Sequence, residues 1–219
     1  MPVISRAKGY LFIATPRTGS TAIIRVLQDH YDGETIPAQN VEVDGRVLVD
    51  SKHGRLGQLL TYGILTPEES KGLFKFCGVR NPFDSVVSLY EKTRRRYVRQ
   101  LDNPAHFIHR SPRQLRAATA AKEGFGPWLQ AMFGDDLDKP AAHLEAALND
   151  DLDFVIRFEH LQADFDVVME KLALGTKAVP QVNPTPGRTH DYRSYYDEAS
   201  RAVVERRFAL DLHAFGYEF

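Results

Sequence analysis

Apolar runs alternate along the chain with segments of helical periodicity. The run YLFIAT (residues 10–15) is continuous and predicts a buried central strand. Apolar residues then recur at helical spacing at Ala22, Ile23, Val26 and Leu27. Further strands are predicted at RVLVDS (residues 46–51), LFKFCGVR (73–80) and DFVIRF (153–158). This alternation predicts an α/β fold with a central, mainly parallel β-sheet flanked by helices.

Helix starts are marked by capping residues. Thr66, Pro67 and Glu69 stand in the order of an N-cap, a first-turn proline and a capping-box glutamate. Asn81 and Pro82 open a segment that predicts one long helix over residues 81–101. Helices are also predicted over residues 159–174 and, as a single final amphipathic helix, over residues 195–215. The stretch from about residue 102 to 139 is loop-like and is expected to form a substrate-side region.

Composition narrows the class of protein. The 219 residues are 43% hydrophobic and 26% charged, which predicts one globular domain over residues 1–219. The net charge of −1 gives no bulk basic field for nucleic acid, and no run reaches the ~18 to 20 apolar residues of a membrane span. No signal peptide is recognisable, and the single cysteine, Cys77, lies in an apolar strand. We therefore expect a cytoplasmic protein without a nucleic-acid partner.

The turn TPRTGSTA, between the first strand and its helix, has the composition of an anion cradle. A helix start offers backbone N–H groups and partial positive charge. Gly19 allows close backbone approach, Thr18, Ser20 and Thr21 add hydroxyl groups, and Arg17 adds a planar cation suited to phosphate. The alternative is a capped helix with an incidental arginine.

The cradle does not match the nucleoside-triphosphate P-loop. That pattern, G-x-x-x-x-G-K-[ST], needs an early glycine and a lysine directly before the hydroxyl residue. Here Gly19 precedes Ser20, and the cation lies three residues earlier. Asp50, at the end of a predicted strand, is a weak candidate for magnesium without that loop.

A second strand-to-helix corner, comparable to the one at TPRTGSTA, follows the strand LFKFCGVR. Arg80 ends the strand and Ser88 lies two turns into the next helix. Both corners belong at the carboxyl edge of a parallel sheet, where ligands of open α/β sheets bind. Two such sites predict a ligand with two separated phosphate-like groups.

TPRTGST and VRNPFDSVVSLY together resemble the two cofactor motifs of sulfotransferases that use 3′-phosphoadenosine-5′-phosphosulfate (PAPS). VIRFEHL and the C-terminal stretch with YRSYYD and FGYEF are similar to carbohydrate-type and bacterial members. The resemblance implies a P-loop NTPase-like sulfotransferase fold, PAPS as co-substrate, 3′,5′-adenosine bisphosphate (PAP) as product, and no metal. Many family members have lysine where this chain has Arg17.

The resemblance also implies residue roles. It implies that the 5′ end of the nucleotide is bound by Arg17, Thr18, Gly19, Ser20 and Thr21, and that the 3′-phosphate is bound by Arg80 and Ser88. Arg188 lies in a segment that approaches the cofactor in that family.

An acceptor hydroxyl must lose its proton, so a general base is expected. His53 follows the strand RVLVDS, and its segment resembles the HG segment of uronosyl 2-O-sulfotransferases. Lys52 is a candidate for contact with the transferring sulfonate. His190 is the rival base, whereas Glu159 fits a structural role better.

The acceptor is expected to be a carbohydrate, a glycolipid or a small metabolite. The basic run KTRRRYVR (residues 92–99) is either a contact for acidic groups or a solvated helix face. Phe107, Phe125 and Trp128 either stack on a sugar ring or pack in the core. His106 and His109 form only a weak metal pattern. The alternatives to a sulfotransferase are a nucleotide kinase-like enzyme and a non-catalytic nucleotide-binding module.

Overall fold

The computed structural model describes residues 1–137, 151–180 and 191–219, and a five-stranded mixed β-sheet is its central feature. The strand order is β3-β1-β2-β6-β7, with bounds β1 (Val3–Ser5), β2 (Tyr10–Ile13), β3 (Glu34–Thr35), β6 (Phe74–Val79) and β7 (Phe154–Arg157). The pairs β2/β6 and β6/β7 are parallel, whereas β1 runs antiparallel to both of its neighbours. The predicted α/β class is confirmed, with one strand running against the other four.

A separate two-stranded ribbon is formed by β4 (Val41–Val43) and β5 (Arg46–Val49). The sequence predicted a strand at residues 46–51 but not its placement outside the central sheet. Most of the ribbon is exposed, and Val43 and Val47 face solvent. The central sheet instead gains β1 and β3, which the apolar pattern did not predict because strands of two or three residues carry little periodicity.

The described residues also form α-helices on either side of the strands in the sequence. Their bounds are α1 (Ser20–His30), α2 (Leu56–Thr61), α3 (Pro67–Lys71), α4 (Pro82–Lys92), α5 (Pro112–Ala120), α6 (Phe125–Phe133), α7 (Leu161–Lys171), α8 (Glu198–Arg207) and α9 (Ala209–Phe215). Thr66 and Glu69 form the predicted capping box of α3, and the Asn81 side chain caps α4. Within the described residues, no helix is long and apolar enough to cross a bilayer.

The chain divides into two compact units, Met1–Arg80 with Ala142–Asn183, and Asn81–Ala141 with Pro184–Phe219. The single domain expected over residues 1–219 stays a prediction. In the first unit, Tyr10, Phe12 and Phe76 pack with apolar residues of α1 and α7. Cys77 is buried as a free thiol, as predicted for a strand residue. The core of the second unit is built from α4, α5, α6 and α8.

The long helix predicted over residues 81–101 forms as a continuous helical segment from Pro82 to Gln100, but its hydrogen-bonding pattern changes along its length. Helix α4 ends at Lys92, a π-turn follows at Thr93–Tyr97, and a 3₁₀ turn follows at Val98–Gln100. The Thr93 hydroxyl donates to the carbonyl of Leu89 at 2.9 Å, a side-chain bond that competes with the regular helical pattern.

The final helix and the middle region also differ from expectation. Residues 198–215 form two helices, α8 and α9, because Phe208 leaves the helical conformation and packs against Phe133 at 5.4 Å between ring centroids. The middle region contains α5 and α6 rather than mostly loop. Trp128 and Phe125 are buried in that core, so they pack rather than offer an exposed ring.

Candidate functional site

The carboxyl ends of three parallel strands form one edge of the sheet. Val79 pairs with Arg157, so β6 and β7 end level, whereas β2 ends at Ile13, opposite Cys77 and two residues before the end of β6. The loop of residues 14–19 follows β2, Arg80 follows β6 and Phe158 follows β7. The Arg80 guanidinium lies 3.9 Å from the centroid of the Phe158 ring, a cation–π contact.

The loop between β2 and α1 is held by its own hydroxyl groups. Thr18 Oγ1 and Ser20 Oγ both donate to the carbonyl oxygen of Thr15, at 3.0 and 2.8 Å, and lie 2.8 Å from each other. The Thr15 hydroxyl donates to the carbonyl of Gly78 on β6. Thr18 and Ser20 are buried, and their hydroxyl groups shape the loop. Thr21 is exposed.

Two glycines allow the loop to lie close to its neighbours. A Cβ at Gly78 would lie 2.7 Å from Thr18 Oγ1, so any side chain there would displace the loop. Gly19 has φ +75°, and a Cβ there would lie 3.1 Å from Phe158. Glycine at both positions therefore seats the loop against the ends of β6 and β7.

Arg17 adopts a left-handed backbone conformation that few non-glycine residues take. Its φ is +67°, which costs on the order of 1 kcal/mol and persists only where the surroundings impose it. Arg80 Nη1 donates to the carbonyl oxygen of Arg17 at 3.0 Å. Because Arg80 is 9% exposed, this charge-assisted bond forms away from bulk water and holds the strained residue.

The N-terminus of α1 has the features of an anion-binding element. Gly19 is its N-cap, with no capping side chain and no acidic residue in the first turn. The first N–H groups of a helix lack intrahelical acceptors, and the helix dipole adds positive potential. Arg17 and Arg80 add two full positive charges beside it. The arrangement suits a phosphate or sulfate group.

His53 and Lys52 are exposed in the turn after β5. The His53 N–H donates to the carbonyl of Asp50 at 3.1 Å, and a Cβ at Gly54 would lie 3.5 Å from Pro2. Pro2 precedes β1, whose antiparallel register places its start beside the end of β2. The turn therefore lies at the carboxyl edge of the sheet, although β5 itself is not part of that sheet.

The other predicted site residues are distributed as follows. Ser88 is buried on α4 in the second unit, and Glu159 is exposed in the 3₁₀ turn after β7. Arg188 and His190 lie outside the described residues. His109 Nε2 is hydrogen-bonded with the carbonyl of Gln100 at 3.1 Å. Among the described residues, no group of three or more His, Cys, Asp or Glu side chains forms a candidate metal site.

Sequence reasoning missed Thr15, Gly78 and Phe158. A glycine inside the apolar strand FKFCGV was the available signal, since glycine within a strand often marks the close approach of another backbone. Thr15 and Phe158 gave no comparable signal, because their roles depend on strand register.

Comparisons with protein-family models, curated proteins and solved structures find no match to this chain.

Proposed function

We propose that this chain is a sulfotransferase that moves a sulfuryl group from PAPS to a hydroxyl or amine of an acceptor. The supporting observation is the bond from Arg80 to the carbonyl of Arg17, which joins the two arginine-bearing corners at one sheet edge. The sequence motifs at these corners resemble those of PAPS-dependent enzymes. A P-loop NTPase-like sulfotransferase fold is part of this proposal.

The 5′ end of the nucleotide is assigned to Arg17 and to the backbone N–H groups at the start of α1. PAPS supplies the activated sulfuryl group, and negative charge grows on the oxygen that bridges sulfur and phosphorus. A guanidinium and the N–H groups at a helix start stabilise such charge. The hydroxyl groups of Thr18, Ser20 and Thr21 are assigned to the same end of the nucleotide, and those of Thr18 and Ser20 also hold the loop.

The 3′-phosphate is assigned to Arg80 and Ser88, with Arg188 as a further candidate. A guanidinium carries five N–H donors, so the single bond to the Arg17 carbonyl does not exclude a phosphate contact. In this assignment Arg80 couples the two ends of the nucleotide site, because the same side chain orders the loop at the other end.

His53 is assigned as the general base that takes the acceptor proton, and Lys52 as a contact for the sulfonate. Support comes from the turn that carries them, which lies at the same sheet edge as the cradle. Histidine is the side chain that most often serves as a general base in enzymes. The acceptor is a carbohydrate, a glycolipid or a small metabolite.

Two measurements test the proposal. Calorimetry compares PAP with ATP plus magnesium, and a transfer assay follows labelled sulfate from PAPS into glycans, phenols and lipid extracts. A sulfotransferase binds PAP more tightly than ATP and labels at least one acceptor class. Tighter binding of ATP with magnesium favours the kinase-like alternative, whereas PAP binding without transfer to any acceptor favours the non-catalytic module.

A further inference from the structure

Residues 91–116 concentrate positive charge in a chain that is otherwise acidic. This segment has eight lysine or arginine residues and two acidic residues, a net charge of +6, while the whole chain has −1. The remainder is therefore net negative. A local field of this size attracts anions only near the segment itself, because salt screens it beyond about 10 Å.

The helical turns and the helix of this segment contact one another within the second unit. The π-turn Thr93–Tyr97, the 3₁₀ turns Val98–Gln100 and Phe107–Arg110, and helix α5 contact one another. Tyr97 packs edge-to-face on Phe107 with 5.3 Å between ring centroids. The basic surface, as we define it, consists of Lys92, Arg94, Arg95, Arg96, Arg99, Arg110 and Arg113.

A buried carboxylate orients two of these arginines. Glu91 is 1% exposed, and its Oε2 accepts from Arg94 Nη2 at 3.0 Å and from Arg95 Nε at 2.8 Å. Its Oε1 accepts from the Tyr195 hydroxyl at 3.1 Å. Burial acts to raise the pKa of Glu91, but the hydrogen bonds from the arginines and Tyr195 outweigh it and the pKa is lowered. The carboxylate thus stays charged and holds both guanidinium groups in place.

An exposed aromatic ring lies among the basic residues. Phe107 is 45% exposed, and it contacts His106 at 4.5 Å between ring centroids as well as Tyr97. The apolar face of a pyranose ring can stack on such a ring while arginines contact its anionic groups. Trp128 and Phe125 are buried in the core, so Phe107 is the ring of the three sequence candidates that faces solvent.

We infer that the basic surface binds an oligosaccharide carrying carboxylate or sulfate groups. This inference concerns the second unit alone and does not depend on the proposed function. The compact surface, with one exposed ring and a net negative remainder of the chain, suits a short anionic sugar chain. A long polyphosphate strand would extend beyond it into negative potential, which disfavours nucleic acid.

The test measures the binding of end-labelled probes to the full chain by fluorescence anisotropy, at low and at physiological salt. The probes are a heparin-derived octasaccharide, an octagalacturonate, a neutral maltooctaose and an eight-residue oligothymidylate. The variant is Arg96→Glu/Arg99→Glu, which leaves Arg94, Arg95 and Glu91 in place. The matched control is Arg25→Glu/Lys71→Glu, an equal charge change at two exposed positions of the first unit. PAP affinity is measured on each protein.

The expected result is salt-sensitive binding of at least one anionic octasaccharide, weakened about tenfold in the Arg96/Arg99 variant and less than about twofold in the control. Maltooctaose should not bind, and the two anionic sugars distinguish sulfate from carboxylate recognition. Tighter binding of oligothymidylate, or equal loss in variant and control, overturns the inference.

PAP binding separates this inference from the proposed function. PAP binding without binding of any anionic sugar overturns the inference alone. Sugar binding without PAP binding overturns the proposed function and leaves the inference standing.

Discussion

Arg80 donates a hydrogen bond to the carbonyl oxygen of Arg17 at 3.0 Å while its guanidinium stacks 3.9 Å from the centroid of Phe158. One side chain thus links the ends of β2, β6 and β7. It also holds Arg17 in a left-handed conformation beside the start of α1. The shape of the candidate site therefore depends on Arg80 before any ligand is considered.

Replacing Arg80 with methionine should loosen this edge. Arg80→Met removes a charge-assisted bond and a cation–π contact, and we expect the free energy of unfolding to fall by about 2 kcal/mol. PAP binding should weaken at least about tenfold. Urea denaturation and calorimetry measure the two effects. Arg80→Lys keeps the charge without the planar group, so its stability and its PAP affinity should lie between those of the parent and of Arg80→Met. Unchanged PAP affinity in Arg80→Met would contradict the assignment.

Gly19 and Gly9 form a matched pair for testing the loop. Both have positive φ, at +75° and +70°, but a Cβ at Gly19 meets Phe158 whereas one at Gly9 meets nothing within 4 Å. We expect Gly9→Ala to cost about 1 kcal/mol and Gly19→Ala about 2 to 3 kcal/mol, because only the second adds a steric conflict. Only Gly19→Ala should weaken PAP binding. Equal costs in urea denaturation would show that Phe158 moves aside freely.

Asp211 predicts a pH-dependent stability. It is 2% exposed, its Oδ2 has no hydrogen-bond partner within the described part of the chain, and burial raises its pKa from 3.8 to about 7. The unfolded chain loses this proton at lower pH than the folded chain does. The free energy of unfolding is therefore highest, as far as Asp211 is concerned, below about pH 4. It falls as the pH rises from about 4 to about 7.

The variant Asp211→Asn removes that titration. At about pH 8 it should be more stable than the parent by about 1 to 3 kcal/mol, with the difference shrinking towards pH 4. Urea denaturation at several pH values measures the gap. Asp29→Asn, at an exposed position on α1, is the control and should show no such trend. A gap of the same size at every pH would argue against a buried titrating carboxyl.

Glu91→Gln separates orientation from charge at the basic surface. The substitution adds net positive charge, so Coulomb attraction alone predicts tighter binding of an anionic octasaccharide. If Glu91 positions Arg94 and Arg95, affinity should instead fall severalfold, since both guanidinium groups lose their carboxylate partner. Fluorescence anisotropy shows whether the affinity for the octasaccharide rises or falls, and circular dichroism checks that the variant is folded. Stability should fall by about 1 to 2 kcal/mol.

His53→Ala tests the assigned base. We expect sulfate transfer to fall about a hundredfold or more, because proton removal loses its catalyst. PAP affinity should stay within about twofold, since His53 is assigned to the acceptor rather than to the nucleotide. The control is His30→Ala, at an exposed position near the end of α1. Retained transfer in His53→Ala would redirect attention to His190.

The elements that the sequence predicted well are those governed by local patterns. The strand at Tyr10–Ile13, the capped start of α4 at Asn81 and the buried strand carrying Cys77 are confirmed in type and position. Continuous apolar runs and capping side chains act over a few residues, so they can be recognised without knowledge of the rest of the chain.

Elements that depend on pairing or packing were not predictable in this way. The strand at Arg46–Val49 has a suitable sequence, but its partner is Val41–Val43 rather than the central sheet. Residues 198–215 have continuous helical periodicity, yet packing of Phe208 against Phe133 divides them into two helices. In both cases a distant segment decides the outcome.

For the candidate site, the sequence alone determined which residues follow each strand and that a glycine and arginine turn precedes α1. Only the tertiary structure decided that Thr18 and Ser20 turn inward, that Gly78 admits the loop, and that Arg80 holds Arg17. These contacts join residues up to 63 positions apart. They exist because parallel pairing brings the carboxyl ends of β2, β6 and β7 to one edge of the sheet, a relationship that no local pattern in the chain expresses.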